Sequence, residues 1–295
     1  MHPLLQRYKE LGHDIKYKEL SATLRVNTLV TTAEKLVARL LEEKAILTKI
    51  VYTKNGFIVK SPQALASMTP YLLGQYYIQE SAAQIPVEIL DPQPGETILD
   101  MCASPGGKTT QIAQHMNNTG EVHAFELKHH RIERLANNLE RMRVSNVYVY
   151  ENDAMNAPEG YDRVLLDAPC SGNLASDKEW LEKRTVQGIK ENVVLQQRLL
   201  SHAIKVCAPG GVIVYSTCSL EPEENEEVIT NALNKHKNIS LEQVETSIGV
   251  PGLQMFKNKI FHPDIKKTKR CWPDVEPTQG FFIAKIRKNI GGANL

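Results

Sequence analysis

Residues 97–116 read TILDMCASPGGKTTQIAQHM, and they give the clearest indication of the fold class. The apolar run at 97–102 predicts a buried strand, the Pro-Gly-Gly turn interrupts it, and KTTQIAQHM predicts a helix. The alternation continues with a strand at 121–127, a helix at 129–144, strands at 146–153 and 162–169, a helix at about 188–206 and a strand at 211–217. Alternating strands and helices predict an α/β fold built on a doubly wound, mostly parallel sheet.

The residues before this alternation predict a separate, small α+β region. Thr31 and Glu34 form a capping-box pattern that opens an amphipathic helix, AEKLVARLLEE (33–43). The apolar runs ILTKIVYT and GFIVK flank Asn55-Gly56, which is typical of a β-hairpin. A helix at SAAQIPVEIL (81–90) leads into the next region. We therefore predict two domains, residues 1–90 and residues 91–295.

The composition narrows the class of protein. With 295 residues and 42% hydrophobic residues, the chain can bury a core. It contains no apolar run as long as a membrane span and no signal-peptide core, so we expect a soluble cytoplasmic protein that does not bind membranes. The five cysteines are scattered and form no Cys-x-x-Cys pair. This pattern excludes a disulfide framework and favours free thiols without a metal site.

Charge is distributed unevenly along the chain. The net charge is only +1, but residues 1–60 carry 11 basic and 6 acidic side chains, residues 251–295 carry 9 and 3, and residues 61–250 carry 15 and 25. Basic ends around an acidic middle favour a nucleic-acid partner, although ordinary solvated charge gives the same pattern. The basic segment 257–270 is the better candidate for contact with a phosphate backbone. Further candidates are Arg25, Lys54, Lys60, Tyr71, Tyr76 and Tyr77, of which at least two tyrosines are expected to pack inside the protein.

Polar residues follow the predicted strands and indicate a nucleoside cofactor. Gly106 and Gly107 permit a tight turn, and the helix after them offers unpaired amides to a carboxylate or phosphate. Glu126 ends the second strand, where an acid can accept hydrogen bonds from ribose hydroxyls. Asp153 follows the third strand and is suited to the amino group of adenine. Each acid alone is more often a helix cap, but the three features together favour an adenosine ligand.

Two cysteines follow buried strands in the second half of the chain. LLDAPCSG (165–172) contains Asp167 and Cys170, and VYSTCSL (214–220) contains Cys218. A lone cysteine at such a place is usually a small core residue, whereas a pair at neighbouring strand ends indicates chemistry. A helix predicted just after Cys218 would stabilise a thiolate there.

This set of residues suits methylation of cytosine at carbon-5, which is a poor nucleophile. Addition of a thiolate to carbon-6, with a hydrogen bond supplied at nitrogen-3, makes carbon-5 able to accept a methyl group. Asp167 is suited by type to the nitrogen-3 role, for which it would need a raised pKa. The target base must also leave its stack.

The motifs DMCASPGGKT, LLDAPCSG and YSTCSLEPEENE resemble those of the RNA cytosine-5 methyltransferase family named for the Nol1/Nop2 and Fmu/Sun proteins. RVNTL (25–29), YYIQE (76–80) and QGFFIAK (279–285) are further landmarks of that family, so the resemblance covers most of the chain. It implies a class I methyltransferase sheet, S-adenosyl-L-methionine as cofactor, and RNA recognition by residues 1–90. The compact length resembles archaeal tRNA members, so tRNA is the expected substrate. We also expect the protein to be a monomer.

The resemblance also implies residue roles. Cys218 would be the attacking thiol, Cys170 would assist product release, and Asp167 would lie between cofactor and cytosine. Glu126 and Arg131 would hold the ribose, and Asp153 would meet the adenine. The methionine part of the cofactor would be bound by Cys102, Ala103, Ser104, Pro105, Gly106, Gly107 and Lys108.

Other functions fit the sequence less well. An rRNA cytosine-5 methyltransferase is the nearest alternative. A DNA cytosine methyltransferase would attack from Pro169-Cys170 and use Glu191-Asn192-Val193, but that triplet falls inside a predicted helix. Amino-group methyltransferases prefer a different motif and need no second thiol. A non-catalytic RNA-binding protein on this fold would be expected to lack Cys218, Asp167 or the glycine turn.

Overall fold

The computed structural model describes residues 2–291. It divides into two compact units: residues 21–157, and the described residues before 21 together with those after 157. The α-helices are α1 (Pro3–Glu10), α2 (Ala33–Glu42), α3 (Thr69–Leu72), α4 (Ile85–Leu90), α5 (Gly107–His115), α6 (His129–Arg141), α7 (Trp180–Lys183), α8 (Val186–Val206) and α9 (Val228–Lys235). Short 3-10 helices span Leu65–Ser67, Ala82–Gln84, Ala154–Asn156 and Pro263–Lys267, and a π-helical turn spans Glu223–Glu227.

The strands in chain order are β1 (Ala22–Val26), β2 (Ile46–Lys49), β3 (Gly56–Lys60), β4 (Tyr76–Ile78), β5 (Thr97–Asp100), β6 (Glu121–Glu126), β7 (Val147–Glu151), β8 (Tyr161–Asp167), β9 (Cys207–Thr217), β10 (Ile239–Glu242), β11 (Val250–Pro251), β12 (Met255–Phe256), β13 (Lys259–Ile260), β14 (Lys269–Cys271) and β15 (Phe281–Lys288). Each strand and helix predicted from the sequence has a counterpart among these elements. Within the described range, no helix is both long enough and apolar enough to cross a membrane.

The unit 21–157 contains an antiparallel sheet with the strand order β2-β3-β1-β4. Helix α2 buries Leu36 and Leu40 in a core with residues from this sheet, such as Leu24 and Val26. The helix was predicted with a cap at Thr31, which is wrong, because the hydroxyl of Thr32 accepts the hydrogen bond from the amide of Lys35. The predicted hairpin of β2 and β3 is confirmed, but residues 50–55 connect the strands, so the connection is longer than a two-residue turn.

The same unit contains the parallel strands β5, β6 and β7. Ile98 pairs with Val122, which pairs in turn with Val147, so the register is continuous across the three strands. Helix α6 buries Leu135 and Leu139 against Ala103 and Ala124, as its amphipathic pattern predicts. Strands β5 and β6 therefore end at one edge of the sheet, together with β7.

The second unit combines parallel and antiparallel pairing. Strands β8 and β9 are parallel, and Asp167 at the end of β8 is in register with Ser216. The C-terminal strand β15, which contains the FFIAK landmark, pairs with β9 in the antiparallel direction. Helix α8 precedes β9 and includes the triplet 191–193, so the predicted helical placement of that triplet is confirmed. Helix α9 is preceded by the π-helical turn, which begins five residues after Cys218.

The compact units follow boundaries other than those predicted for the two functional domains. Strand β1 is tied to the later part of its unit, because Arg25 donates to the hydroxyl of Thr110 at 2.8 Å and Asn27 donates to the carbonyl of Met142 at 2.8 Å. The assignment of RNA recognition to residues 1–90 stays a prediction. Met1 and residues 292–295, which the predicted domains include, lie outside the described residues.

Arg270 belongs to the basic segment 257–270, yet its side chain is completely buried. Its guanidinium donates to both carboxylate oxygens of Glu226, at 2.9 and 2.6 Å, and to the carbonyl of Leu220 at 2.8 Å. Prediction of a phosphate contact is therefore wrong for this residue. Other basic side chains of the segment are also paired with carboxylates, Lys257 with Glu10 and Lys259 with Glu227.

Replacing Arg270 with alanine is expected to lower the free energy of unfolding by about 3–5 kcal/mol, because the carboxylate of Glu226 would remain buried without its partner. Denaturant unfolding followed by circular dichroism measures this change. The double variant Arg270→Met with Glu226→Gln removes both charges and should recover part of the loss. Equal stability of Arg270→Ala and the parent protein would refute a stabilising role for the pair.

Candidate cofactor turn and cysteine pair

The Gly-rich turn 102–108 joins β5 to α5. Gly106 has φ +103°, a left-handed backbone that residues with a Cβ rarely adopt, and helix α5 begins at the next residue. A Cβ added at Gly107 would approach the ring of Tyr77 to 3.3 Å, so the backbone packs closely there. The peptide bond between Ser104 and Pro105 is cis. The turn therefore brings the first amides of α5 to the end of β5, as the sequence predicts for an anion-binding turn.

Polar contacts from inside the unit hold this turn. The hydroxyl of Thr109 donates to the carboxylate of Asp100 at 2.8 Å, and Asp100 is buried at the end of β5. The amide of Asn138 on α6 donates to the carbonyl of Pro105 at 2.9 Å. Thr109 and Asn138 were both missed in the sequence. No local pattern marks Asn138, because it lies more than 30 residues from the turn it supports.

Glu126 and Arg131 are brought together with the turn. Glu126 is 4% exposed, and its carboxylate accepts the amide of Lys128 at 2.9 Å and lies 3.2 Å from the guanidinium of Arg131. Arg131 also donates to the carbonyl of Ser104 at 2.7 Å, and the hydroxyl of Ser104 donates back to the carbonyl of Arg131 at 2.9 Å. Because each carboxylate oxygen has two lone pairs, Glu126 keeps acceptor capacity for hydroxyl donors.

Asp153 lies at the same sheet edge as Glu126. Glu126 pairs with Glu151 in the parallel register of β6 and β7, and Asp153 follows two residues later. One carboxylate oxygen of Asp153 caps the short helix Ala154–Asn156 by accepting the amide of Met155 at 3.0 Å. The capping role and a role toward adenine use different acceptor positions of one carboxylate, so they are compatible.

Cys170 and Cys218 lie next to each other in the second unit, with 3.5 Å between their sulfur atoms. Both residues are partly exposed. The hydrogen bond with Cys218, together with burial, raises the pKa of the Cys170 thiol well above its usual range. Cys170 therefore stays protonated at neutral pH and can donate a hydrogen bond to a thiolate at Cys218.

Asp167 and Asn173 flank Cys170 in the chain, and both side chains make hydrogen bonds. The hydroxyl of Ser216 donates to the carboxylate of Asp167 at 2.7 Å, across the register of β8 and β9. The side-chain amide of Asn173 donates to the carbonyl of Cys218 at 2.7 Å and to the carbonyl of Gln279 at 2.8 Å. Asn173 was missed in the sequence. Its only sequence signal is its place directly after the CSG motif, because its burial is known only from the structure.

Several residues predicted as RNA contacts are packed inside the unit 21–157. Arg25 is buried, and burial lowers the pKa of its guanidinium to about 9. Tyr76 is buried and donates to the carbonyl of Leu65 at 2.6 Å, and Tyr77 packs against the Gly-rich turn 102–108. The prediction that at least two tyrosines pack inside is confirmed, and an RNA role for Arg25 is wrong.

Within residues 2–291, no three His, Cys, Asp or Glu side chains form a group that could hold a metal ion.

Residues 87–287 match the family model described as the 16S rRNA methyltransferase RsmB/F family. This match covers more than half of the chain and includes the cofactor turn and both cysteines. The chain belongs to the RsmB/F methyltransferase family. The resemblance drawn from the three motifs is therefore confirmed.

Relatives of this RsmB/F member are named for different RNA substrates. It is 38% identical over 299 residues to a tRNA (cytosine(49)-C(5))-methyltransferase of Pyrococcus abyssi, covering 97% of this chain and 95% of the relative. It is also 38% identical over 277 residues to a 28S rRNA (cytosine-C(5))-methyltransferase of Mus musculus, covering 90% of this chain and 35% of the relative. The chain thus spans about a third of the length of that rRNA relative.

Solved structures agree with the RsmB/F assignment. A methyltransferase homologue from Pyrococcus horikoshii is 38% identical, with a TM-score of 0.83, covering 96% of this chain and 90% of the homologue. NSun6 from the same organism, solved with the S-adenosyl-L-methionine analogue SFG, is 26% identical, with a TM-score of 0.81 and coverage of 96% and 93%. The predicted class I methyltransferase fold and the cofactor S-adenosyl-L-methionine are confirmed.

Proposed function

We propose that this protein is an RNA cytosine-5 methyltransferase that acts on tRNA. The observation that carries the proposal is the contact between Cys170 and Cys218, whose sulfur atoms lie 3.5 Å apart just after β8 and β9. Core packing alone would not need two partly exposed cysteines in contact. Membership of the RsmB/F family supports the same reaction.

The residues of the unit 21–157 fit S-adenosyl-L-methionine. The start of α5 offers amides to a carboxylate, and buried Glu126 offers acceptors to two hydroxyls. When bound, the cofactor supplies the methyl group. Arg131 would orient Glu126 and the turn, since it contacts both. Asp153 would accept a hydrogen bond from the adenine amino group.

The residues of the second unit would act on the cytosine. The thiolate of Cys218 would form a bond to carbon-6 while the carboxyl of Asp167, in its protonated form, would donate a hydrogen bond at nitrogen-3, so that electron density develops at carbon-5, which takes the methyl group. A base then removes the carbon-5 proton, the bond between carbon-6 and sulfur breaks, and its electron pair returns to Cys218 as a thiolate. Cys170 would assist this release by donating a hydrogen bond to the leaving sulfur.

The choice of tRNA rests on the relative from P. abyssi, which this chain matches along nearly the whole length of both proteins. The rRNA relatives are equally similar, so rRNA is the second candidate. Incubation of the protein with labelled S-adenosyl-L-methionine and, separately, unmodified tRNA and rRNA decides between them. Mass spectrometry of the product maps the methylated base. 5-Methylcytosine in tRNA supports the proposal, whereas methylation of rRNA alone contradicts it. Monomeric state and cytoplasmic location stay predictions.

Glu126→Ala is expected to weaken binding of S-adenosyl-L-methionine by about 10- to 100-fold, because two hydrogen bonds to a buried carboxylate are lost. Isothermal titration calorimetry measures the dissociation constant without turnover. Glu121→Ala is the matched control, since Glu121 begins the same strand β6 and is exposed. An unchanged dissociation constant for Glu126→Ala would remove this residue from the ribose site.

A further inference from the structure

Glu224 lies in the π-helical turn 223–227 and has no exposed surface. Its carboxylate accepts two hydrogen bonds from Ser171, the residue after Cys170: the backbone amide donates at 3.0 Å and the hydroxyl at 2.5 Å. The hydroxyl of Ser171 also lies 3.2 Å from that of Ser219, the residue after Cys218. The buried carboxylate therefore holds the turn of one active cysteine beside the turn of the other.

Helix α8 completes the surroundings of this carboxylate. The amide of Asn192 donates to Glu224 at 2.9 Å and that of Gln196 at 3.1 Å. Gln196 also donates to the carbonyl of Pro169 at 2.8 Å, on the other side of Cys170. A carboxylate can accept from all these donors at once, because it has about four lone-pair positions and carries no hydrogen. An amide at position 224 could not, since its NH₂ group would face donors.

We propose that Glu224 is a positioning residue for the release step: its carboxylate fixes the turn 169–171, so that the thiol of Cys170 faces the sulfur of Cys218. The role in the release step rests on the proposed function. The orientation of the Cys170 thiol by Glu224 can be tested without RNA. The negative charge of Glu224 also favours the protonated form of Cys170, because it helps to raise the pKa of that thiol. Glu224 would thereby keep Cys170 protonated and leave Cys218 as the nucleophile.

The first test measures the alkylation of each cysteine by iodoacetamide in the full-length protein, with peptide mass spectrometry to assign the sites. In the parent protein we expect Cys218 to react before Cys170. In Glu224→Gln the initial rate at Cys170 should rise about tenfold, because the turn is released and a negative charge near the thiol is removed. A parental rate at Cys170 in a folded Glu224→Gln protein would overturn the inference.

The second test measures the fraction of protein trapped as a denaturant-stable adduct with substrate RNA. Glu224→Gln should accumulate adduct while single-turnover methyl transfer and the dissociation constant for S-adenosyl-L-methionine stay near parental values. If Cys170→Ala accumulates adduct and Glu224→Gln does not, the inference fails while the proposed function stands. If Cys218→Ala stays fully active, the proposed function fails, and the alkylation test still decides whether Glu224 positions Cys170.

Two further variants keep the test decisive. Glu223→Gln is the matched control, because Glu223 neighbours Glu224 but pairs with Arg7 at 2.5 Å and is partly exposed. It should behave as the parent protein in both measurements. Ser171→Ala removes the hydroxyl contacts to Glu224 and Ser219 but keeps the backbone hydrogen bond to Glu224, so it tests the contact if Glu224→Gln does not fold. It should raise both the alkylation rate at Cys170 and the adduct fraction, and no rise in either would overturn the inference.

Discussion

Cys218→Ala is expected to abolish transfer of the methyl group to RNA, with a loss of about four orders of magnitude or more in turnover, while S-adenosyl-L-methionine still binds. The physical reason is that carbon-5 of cytosine does not attack a methyl donor until a nucleophile has added to carbon-6. When Cys218 is replaced, no described residue at the end of β9 carries a thiol that could add to carbon-6. A filter assay with labelled cofactor measures turnover, and calorimetry measures binding of the cofactor.

The control for this variant is Cys271→Ala, which removes a buried cysteine on β14. It should keep nearly parental activity, because Cys271 is a core residue outside the cysteine pair. Full activity of Cys218→Ala would refute its role as nucleophile. If activity instead required Cys170 but not Cys218, the mechanism would move toward that of the DNA enzymes, which attack from a Pro-Cys motif.

Cys170→Ala is expected to accumulate a covalent adduct with RNA and to release little product. The reason is that the thiol lies 3.5 Å from the Cys218 sulfur and has a pKa raised by that contact and by burial, so it can donate a hydrogen bond to the departing thiolate. Denaturing gel electrophoresis with labelled RNA detects the adduct as a shifted band. The double variant lacking both thiols is the control, because without Cys218 no adduct can form.

Normal release of product by Cys170→Ala, with no shifted band, would count against a role in release. Loss of both product and adduct would instead point to a role for Cys170 before the addition step. The two cysteine variants together therefore separate nucleophile, release residue and structural contact.

Much of the fold follows from short-range patterns in the sequence. The alternation of apolar runs and amphipathic segments predicts β5 to β9 and the helices between them, because strand and helix periodicity are local properties. The cap of α2 was assigned one residue too early, since Thr31 and Thr32 are equally suited by type and only the backbone geometry selects Thr32. Likewise, Asn55-Gly56 indicates a hairpin, but the pairing of Lys49 with Phe57 sets the length of its connection.

For the candidate site, too, some features can be predicted from the sequence and others are known only from the structure. The residue types that the chemistry needs (a glycine turn, an acid at the end of β6, and cysteines after β8 and β9) are visible as motifs. Burial is not visible: Arg25 and Arg270 were read as possible RNA contacts, yet both guanidinium groups lie inside the protein. A charged side chain can be buried when its partner is supplied by a distant part of the chain, as Glu226 is for Arg270.

The fold class, the family, the cofactor and the two cysteine motifs can be predicted from the sequence, because these depend on residue types at fixed short spacings. Which side chains meet depends instead on the tertiary structure. It set the 3.5 Å contact between thiols 48 residues apart, the support of Pro105 by Asn138, and the convergence of Ser171, Asn192 and Gln196 on the Glu224 carboxylate. Such contacts depend on the packing of whole elements against one another, and packing is a property that no local spacing encodes.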